Sequence, residues 1–375
     1  MAQPRARALS LVDINFIGTA LFIAAIGCLL IYSATYFTDP TLDILRKQLL
    51  WVGIGFALMI VFMVVDYHVF FEIAPFLYAI GNVLLVYLLL WGKLTAHVKS
   101  WIHIGTFQFQ PSEFMKIFTA LMLARYFENH QSVYLDVRAF LRVMLIIGIP
   151  VGLIAVEPDL GTALSFLPLI AVAMFFGGIK WKVWVAAVLI ALILLPIGWV
   201  LLKPYQKDRI ITFLNPDRDP LGKGYQVTQA KIAIGSGGIH GKGFKQGTQA
   251  KLEYLPARHT DFIFAAVGER WGFVGAALVL SLYGLLISRA LRMIVLAKDL
   301  FGSLVAAGVA AMLSFQVFVN VGMTIGIMPI TGVTLPLMSY GGSSVITTML
   351  AIGLLQSIYV QARAAQAMKG RVLRH

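Results

Sequence analysis

The sequence predicts an all-α protein that crosses a membrane about ten times. Hydrophobic residues make up 59% of its 375 residues, the mean hydropathy is +0.84, and only 13% of the residues are charged. Soluble domains carry about 25% charged residues, so a chain this apolar needs lipid as part of its solvent. The net charge of +13 agrees with Lys and Arg residues that flank membrane helices beside anionic lipids. This origin of the charge argues against nucleic-acid binding.

Ten segments are apolar enough to span a bilayer. A spanning helix needs about 20 apolar residues, because the hydrocarbon core is about 30 Å thick. Each span must be helical, since lipid offers no partner for backbone polar groups. The predicted spans are Ile14–Ser33, Leu49–Val65, Phe71–Trp91, Ser112–Phe127, Phe140–Val156, Leu160–Phe176, Trp184–Leu202, Phe262–Leu286, Ser303–Ile325 and Ser343–Gln361.

The distribution of Lys and Arg predicts that both termini are cytoplasmic. If the N-terminus lies inside, basic residues such as Lys180, Arg289 and Arg363 fall in cytoplasmic segments. The short outer connections Glu157–Asp159 and Met328–Ser339 then carry no Lys or Arg. An even number of spans returns the C-terminus to the cytoplasmic side.

This topology predicts one transmembrane domain over residues 1–375. Residues 1–13 and 362–375 become cytoplasmic tails, and residues 203–260 become a large extracytoplasmic loop between the seventh and eighth spans. Structureless loops of this length are unusual in compact domains. We therefore expect helical pieces in the loop, for example around Tyr225–Ile234.

The first group of informative polar residues lies at the outer start of the fourth span. Pro111 is favoured at a helix start, and Glu113 lies in the first turn, where a carboxylate complements the helix dipole. Glu113 and Lys116 are three residues apart and share a helix face. One interpretation is a local ion pair that pins the helix end. The other directs Lys116 at an anionic headgroup, which makes Lys99, Glu113 and Lys116 candidate substrate-binding residues.

Two more groups lie on the predicted outer face. Asp159 sits between two spans, where an ionisable residue is costly and often functional, so it is a candidate substrate-binding residue or a helix N-cap. Arg209, in the long loop, precedes a glycine run from Gly235 to Gly247. The run is either a flexible turn region or backbone that closely approaches a pyrophosphate, for which Arg209 supplies positive charge.

Asp261 opens the eighth span and is the candidate catalytic residue. A carboxylate at a helix start is either a cap or, at the edge of a hydrophobic cavity, a general base whose pKa is raised. Gly and Pro residues are dense between Pro329 and Ser343, a stretch that contains the candidate substrate-binding residue Ser339. Non-helical backbone at membrane depth is tolerated only where it packs on protein or lines a polar cavity.

Six short motifs run in order along nearly the whole chain, and together they are far more specific than any one alone. They are Gln110-Pro-Ser-Glu113-x-x-Lys116, Glu157-Pro-Asp159-Leu-Gly-Thr162, Asp219-Pro-Leu-Gly222-x-Gly224-Tyr225, Lys231-Ile-Ala-Ile-Gly-Ser-Gly-Gly238, His259-Thr-Asp261-Phe-Ile-Phe264 and Leu335-Pro-Leu-Met-Ser-Tyr-Gly-Gly-Ser343. This set resembles the shape, elongation, division and sporulation family, and most closely its RodA branch. The chain departs from many relatives at Ser100, where they have Arg, and at Glu269-Arg270, where they often have paired acids.

The resemblance implies a peptidoglycan glycosyltransferase of the bacterial cytoplasmic membrane with its active site on the outer face. Such enzymes polymerise lipid II, a disaccharide-pentapeptide on undecaprenyl pyrophosphate, during cell elongation. It also implies a class B penicillin-binding protein and other elongation-complex proteins as partners, and a divalent cation, Mg²⁺ or Mn²⁺. The family's essential aspartate falls on Asp261, which would take a proton from the acceptor sugar, while Arg209 and Lys116 would stabilise the leaving pyrophosphate.

Two other functions use similar features. Broken helices and charges at membrane depth also suit a flippase for the same lipid, although the sequence shows no paired helix interruptions in two matching halves. A non-catalytic scaffold for cell-wall enzymes is the third possibility, and it leaves the outward carboxylates and glycine runs unexplained.

Overall fold

A computed structural model gives the fold. It describes residues 11–35, 41–92, 100–104, 107–130, 136–178, 204–215, 222–243 and 259–372, together with single positions between 185 and 200. Most of the predicted seventh span, Trp184–Leu202, lies outside these described residues.

Twelve helices and one short β-hairpin make up the described part of the chain. In chain order the elements are α1 (Ile14–Thr35), α2 (Asp43–Val64), α3 (Tyr67–Trp91), β1 (Ile102–Ile104), β2 (Phe107–Phe109), α4 (Pro111–Asn129), α5 (Val137–Val156), α6 (Leu160–Leu164), α7 (Leu167–Phe176), α8 (Pro204–Leu214), α9 (Lys223–Gly237), α10 (Ile263–Leu296), α11 (Leu300–Ile325) and α12 (Gly342–Val372). The strands β1 and β2 pair antiparallel, with Ile102 opposite Phe109.

Seven of these helices, α1, α2, α3, α5, α10, α11 and α12, are long and apolar enough to cross a membrane. They match seven of the ten predicted spans. The fourth predicted span forms α4, whose many buried side chains face protein rather than lipid. The sixth divides into α6 and α7 around Ser165, and Pro168 lies in the first turn of α7. The total of ten spans stays a prediction.

Three boundaries differ from the prediction by six residues or more, and the largest difference is at the end of α12, which continues to Val372 rather than Gln361 and so into the predicted C-terminal tail. Helix α2 begins at Asp43, six residues before the predicted Leu49, because the polar turn that carries Arg46 and Lys47 continues the helix beyond its apolar section. Helix α10 continues to Leu296 rather than Leu286. It includes a kink at Gly272, whose φ of 63° is in the left-handed region that favours glycine.

Helices α11 and α12 form the centre of the bundle. The apolar section of α12 is almost entirely buried, whereas α2, α3 and α5 expose most of theirs, as lipid-facing helices do. Helix α12 packs closely along α2. At Gly353 the two helices are so near that any side chain would overlap the backbone of Met59. Small residues allow such close approach, and close packing holds membrane helices together.

Aspartates precede four helices at one end of the bundle, which we call the capped end, and the first of them, Asp13 before α1, accepts a hydrogen bond from the amide of Phe16 at 3.1 Å. Asp66 accepts a hydrogen bond from the amide of His68 at 2.9 Å, and Asp136 accepts one from Ala139 at 2.7 Å. Asp299 accepts one from Gly302 at 2.7 Å. Each bond satisfies an amide that the first helical turn leaves without a backbone partner.

The predicted helix in the long loop is confirmed as α9, which packs against the start of α10. A side chain at Gly237 would overlap the carbonyl of Gly268, and one at Gly241 would overlap that of Arg270. The amide of Lys242 donates to the Glu269 carbonyl at 3.0 Å. Gly237 and Gly241 therefore permit close packing against α10, whereas Gly235, Gly238 and Gly243 have open space where a side chain would lie.

Candidate functional site

A polar cavity of about 400 Å³ lies at the end of the bundle opposite the capped end. Its wall comes from six separate parts of the chain: the start of α2, the hairpin and the start of α4, the α5–α6 connection, α8, the residues before α10, and the α11–α12 connection. The lining includes Lys47, Trp51, Trp101, Gln110, Glu113, Asp159, Arg209, Asp261, Thr331, Tyr340 and Ser344. Four of the residues predicted for the site, Asp261, Arg209, Asp159 and Glu113, thus line one cavity.

Asp261 is held by its backbone and leaves its carboxyl group at the cavity. The Nδ2 of the buried Asn320 donates to the carbonyls of Asp261 at 2.9 Å and Val333 at 2.8 Å. Helix α10 has Phe262 at its N-cap, and in the described structure no side chain caps it. The cap interpretation of Asp261 is therefore not what the structure shows.

Burial raises the pKa of the Asp261 carboxyl above its ordinary value. A hydrogen bond from Thr260 and the positive charge of Arg209 act in the opposite direction. Arg209 is placed by α8, and its Nη1 donates to the Thr331 carbonyl at 3.3 Å. The site thus pairs a carboxylate of raised basicity with a nearby fixed cation.

Asp159 performs the structural role expected of an N-cap and also lines the cavity. Its Oδ1 accepts from the amide of Thr162 at 3.1 Å, and its Oδ2 accepts from the Thr162 hydroxyl at 2.9 Å. The Nε2 of Gln110 donates to the same Oδ2 at 3.1 Å. These contacts join the start of α4 to the start of α6 beside the cavity.

Glu113 and Lys116 form a buried ion pair of 2.7 Å on α4. Glu113 lines the cavity, whereas Lys116 is 3% exposed and lies deeper, among Gln316, Thr347 and other residues of α11 and α12. The local ion pair is the geometry that the structure shows. Lys116 does not line the cavity and contacts it only through Glu113.

Ser339 lies beneath the cavity and joins two of its segments. It is buried, and its Oγ donates to the Thr260 carbonyl at 2.7 Å and accepts from the Leu335 amide at 2.9 Å. The Tyr340 amide donates to the His259 carbonyl at 2.8 Å. Ser339 therefore positions the backbone next to Asp261. The predicted residue Lys99 lies outside the described residues.

Glu157 is a second unusual carboxyl group near the cavity. It is 1% exposed, and the hydroxyl of the buried Ser100 is the hydrogen-bonding group beside its carboxylate. Burial, followed by the negative charge of Asp159, raises the pKa of Glu157 to about 8, while the Ser100 hydroxyl acts to lower it. The side chain is therefore mostly uncharged at neutral pH.

The carboxylates of the cavity do not form a ready metal site. Within the described ranges, no group of three His, Cys, Asp or Glu residues is arranged to hold an ion. The oxygens of Asp159 already accept bonds from Thr162 and Gln110, and Glu113 is paired with Lys116. Mg²⁺ and Mn²⁺ need several oxygen ligands. The described residues thus do not fit the cation that the resemblance implies.

Lys47 and Trp51 are cavity residues that the sequence argument missed. The apolar pattern starts the second span at Leu49, which leaves Lys47 outside it and makes Trp51 one apolar residue among many. One pattern in the sequence could have revealed them: a Lys is followed four residues later by a Trp at the end of a predicted span. This spacing places both side chains on one face of the helix.

A bundle of long apolar helices with a charged cavity at one end is typical of an integral membrane protein. The chain belongs to the FtsW/RodA/SpoVE family, since the model of this family, described as a cell cycle protein, matches residues 13–364. It is 39% identical to the peptidoglycan glycosyltransferase MrdB of Escherichia coli K12, over 89% of this chain and 91% of that protein. It is 36% identical to the peptidoglycan glycosyltransferase RodA of Treponema pallidum, over 94% and 99% of the two chains.

Solved structures show the same fold. A chain from a peptidoglycan synthase complex that coordinates polymerization and crosslinking matches with a TM-score of 0.82 at 34% identity, over 94% of this chain and 98% of that one. The crystal structure of the rod shape determining protein RodA of Thermus thermophilus matches with a TM-score of 0.70 at 31% identity, over 93% and 96%.

Proposed function

We propose that the chain is a peptidoglycan glycosyltransferase that polymerises lipid II into glycan strands. The observation that carries this proposal is the Asp261 carboxyl, which stands at the wall of a polar cavity next to Arg209 and does not cap the helix that follows it. The similarity to named peptidoglycan glycosyltransferases over most of the chain supports it.

The reaction is an inverting glycosyl transfer. Asp261 accepts the proton of the acceptor sugar's 4-hydroxyl, and the hydroxyl oxygen forms a bond to the anomeric carbon of the donor sugar. The bond from that carbon to the pyrophosphate oxygen breaks, and undecaprenyl pyrophosphate leaves with the electron pair. A raised pKa suits this task, because a general base works best when its pKa is near the operating pH.

Arg209 supplies the positive charge that the departing pyrophosphate requires. Its guanidinium lines the cavity and its donors match phosphate oxygens, so it stabilises negative charge where that charge develops. We assign Lys116 a different role from the one expected, because its ammonium group is bonded to Glu113 inside the bundle. There it compensates the charge of a carboxylate that lines the cavity.

The cavity end faces the outside of a bacterial cytoplasmic membrane in this proposal, and both termini lie inside. The excess of Lys and Arg in the predicted inner segments supports this orientation. The likeness to a synthase complex that couples polymerization with crosslinking supports a class B penicillin-binding protein as the partner. Such a partner would cross-link the strands that this chain makes during cell elongation.

Glycan synthesis by the purified protein tests the proposal. The native chain and Asp261→Asn are incubated with lipid II and a divalent cation, with and without the partner, and the strands are separated by length. We expect strands from the native chain and a loss of about 10²–10⁴-fold in the variant, because Asn keeps the size of Asp but accepts no proton. Equal melting temperatures would show that both proteins are folded.

The same preparations separate the alternatives. A flippase moves labelled lipid II across sealed vesicles without lengthening it, and a scaffold does neither. Equal activity of the native chain and Asp261→Asn would move the search for the base to the other cavity carboxylates, Glu113 and Asp159. Failure of the native chain to polymerise with partner and cation present would contradict the proposed function.

A further inference from the structure

The start of α2 contributes two side chains to the cavity that have no place in the mechanism above. Lys47 and Trp51 are four residues apart, so they lie on one face of the helix, and both line the cavity. Lys47 is exposed and Trp51 is partly exposed. They come from a different part of the chain from Asp159, Arg209 and Asp261. A cation and an indole ring thus stand together at the cavity wall.

Trp51 is held flat against the backbone of α12. A methyl group on Gly342 would lie 2.6 Å from Cε2, 2.7 Å from Cδ2 and 2.9 Å from Nε1 of the Trp51 ring. Nearly equal distances to three atoms of one small ring place Gly342 over the face of the ring rather than at its edge. Only glycine leaves room for this contact. The Trp51 ring packs against Gly342 and also lines the cavity.

The turn that carries Lys47 and Trp51 is fixed to the loop before α12. The Nε2 of the buried Gln48 donates to the Ser339 carbonyl at 3.2 Å, and its Oε1 accepts from the Gly341 amide at 3.3 Å. Ser339 is bonded in turn to Thr260, the neighbour of Asp261. The position of the ring relative to the Asp261 backbone is therefore set by a short chain of hydrogen bonds, as a binding surface requires.

The combination of side chains indicates the class of ligand. The face of an indole ring carries negative charge density and attracts the weakly positive C–H groups on the face of a sugar ring. An ammonium group binds phosphate or carboxylate oxygens. An indole and an ammonium group one helical turn apart therefore fit a sugar ring that bears an anionic group.

We propose that Trp51 and Lys47 form a subsite that binds a sugar ring with an attached anionic group and positions it for reaction at Asp261. The subsite rests on the proposed function, because its ligand is part of the substrate or of the growing strand. Trp51 and Lys47 are positioning residues, and they raise the affinity for substrate without joining the proton transfer.

Steady-state polymerisation by the complete complex tests this role through the split between KM and kcat. Trp51→Phe keeps an aromatic face against Gly342, while Trp51→Leu keeps an apolar side chain there without the ring. We expect Trp51→Leu to raise KM by about 3- to 10-fold relative to Trp51→Phe with little change in kcat. Lys47→Gln should raise KM roughly tenfold, because a hydrogen bond to a charged group is lost.

The chain offers a matched control for each change. Trp91 is 68% exposed at the end of α3 and stacks on Tyr87 outside the cavity, so Trp91→Leu removes an indole without touching the subsite. Arg46 precedes Lys47 on α2 and does not line the cavity, so Arg46→Gln removes one positive charge from the same turn. Both controls should keep the native KM. If Trp51→Leu had the same KM as Trp51→Phe, the aromatic ring would not contribute to substrate binding. If Lys47→Gln had the same KM as Arg46→Gln, the charge of Lys47 would not contribute. Either result would refute the subsite.

Direct binding separates failure of the subsite from failure of the proposed function. Affinities are measured for undecaprenyl pyrophosphate and for a soluble disaccharide-pentapeptide that carries carboxylates but no phosphate. Trp51→Leu should weaken the binding of the disaccharide-pentapeptide. Lys47→Gln should weaken the binding of whichever probe carries the anionic group that Lys47 contacts. These measurements need no turnover, so they stand even if the native chain does not polymerise. Unchanged affinities for both probes would overturn the subsite.

Discussion

Carboxylates are used differently at the two ends of the bundle. At the capped end Asp66, Asp136 and Asp299 precede helices, and each accepts a hydrogen bond from an amide of the first turn. At the cavity end Asp261 precedes α10 in a similar sequence position, yet no described side chain caps that helix. The same residue type before a helix thus stabilises the fold at one end and faces a cavity at the other.

Asp159 lies between these two cases. It caps α6 through the Thr162 amide and also lines the cavity. Its two oxygens already accept hydrogen bonds from the Thr162 amide, the Thr162 hydroxyl and Gln110, which hold the carboxylate against the protein. The comparison therefore supports Asp261 as the proposed base and makes Asp159 a residue that holds the cavity wall in place.

Substitutions at the two ends should have opposite effects: the one at the cavity end should reduce activity, and the one at the capped end should reduce stability. The loss of activity is the largest effect that we expect. Asp261→Asn should reduce glycan synthesis about 10²–10⁴-fold while the melting temperature stays near the native value. Asp299→Ala should lower stability by about 2–4 kcal/mol, because Asp299 caps α11 and also accepts a hydrogen bond from the hydroxyl of the buried Tyr67, while activity per folded molecule is retained. Thermal unfolding in detergent and strand synthesis on the same samples check both.

The two variants serve as controls for each other. Should Asp261→Asn unfold as easily as Asp299→Ala, Asp261 would be structural like the aspartates of the capped end. Loss of activity in folded Asp299→Ala would mean that the capped end also controls the reaction. Either result would remove the distinction between the two ends.

The buried pair on α4 gives the next largest effect, and it acts on stability. Lys116→Met leaves the Glu113 carboxylate without its partner inside the bundle, and breaking a buried ion pair in this way costs about 3–5 kcal/mol. The double variant Glu113→Gln/Lys116→Met removes both charges and should recover much of that loss. Unfolding of the native, single and double variants in detergent measures the coupling. Equal melting of single and double variants would contradict a paired, charge-compensating Lys116.

Most of the fold and half of the site followed from the sequence. Seven spans and the loop helix are confirmed because apolar runs of sufficient length have few alternatives in lipid. Asp261, Arg209, Asp159 and Glu113 were predicted for one site, and they line one cavity. Charged residues near a membrane are costly, so the few that are present stand out.

The rest depended on tertiary contacts that local patterns do not encode. Lys116 and Glu113 were predicted to share a helix face, but only the packing of α11 and α12 decides that the lysine faces inward. The sequence argument missed Trp51, because the position of its ring depends on packing against Gly342, almost 300 residues later in the chain. The spacing of the glycine run gave no sign that α10 would pack against it.

The glycine run provides a matched pair for the next prediction. Gly235 has open space around it, whereas a side chain at Gly237 would overlap the Gly268 carbonyl. Gly237→Ala should therefore destabilise the protein by about 1–3 kcal/mol through overpacking. Gly235→Ala, in the same helix, should be neutral or slightly stabilising, because Ala favours helix by about 1 kcal/mol. Thermal unfolding distinguishes them, and similar behaviour would indicate that the run does not act through packing.

Substitution of Glu157, which lies near the cavity but does not line it, should have the smallest effect on activity and thereby sharpen the distinction between this carboxyl group and Asp261. Since the pKa of Glu157 is raised to about 8, its neutral form predominates at pH 7, and Gln is a close mimic of that form. Glu157→Gln should keep glycan synthesis within about twofold of native at pH 7, in contrast to Asp261→Asn.

The pH dependence of stability checks the same inference independently. Between the ordinary pKa of a glutamate and about 8, the folded protein binds a proton at Glu157 that the unfolded chain has released, so native stability falls as pH rises through this range. Glu157→Gln has no such proton to lose. Its melting temperature should therefore match the native value near pH 4.5 and exceed it at pH 8. A variant that is inactive at pH 7, or that gains no stability at pH 8, would show that Glu157 is ionised in the fold and that its charge is used at the site.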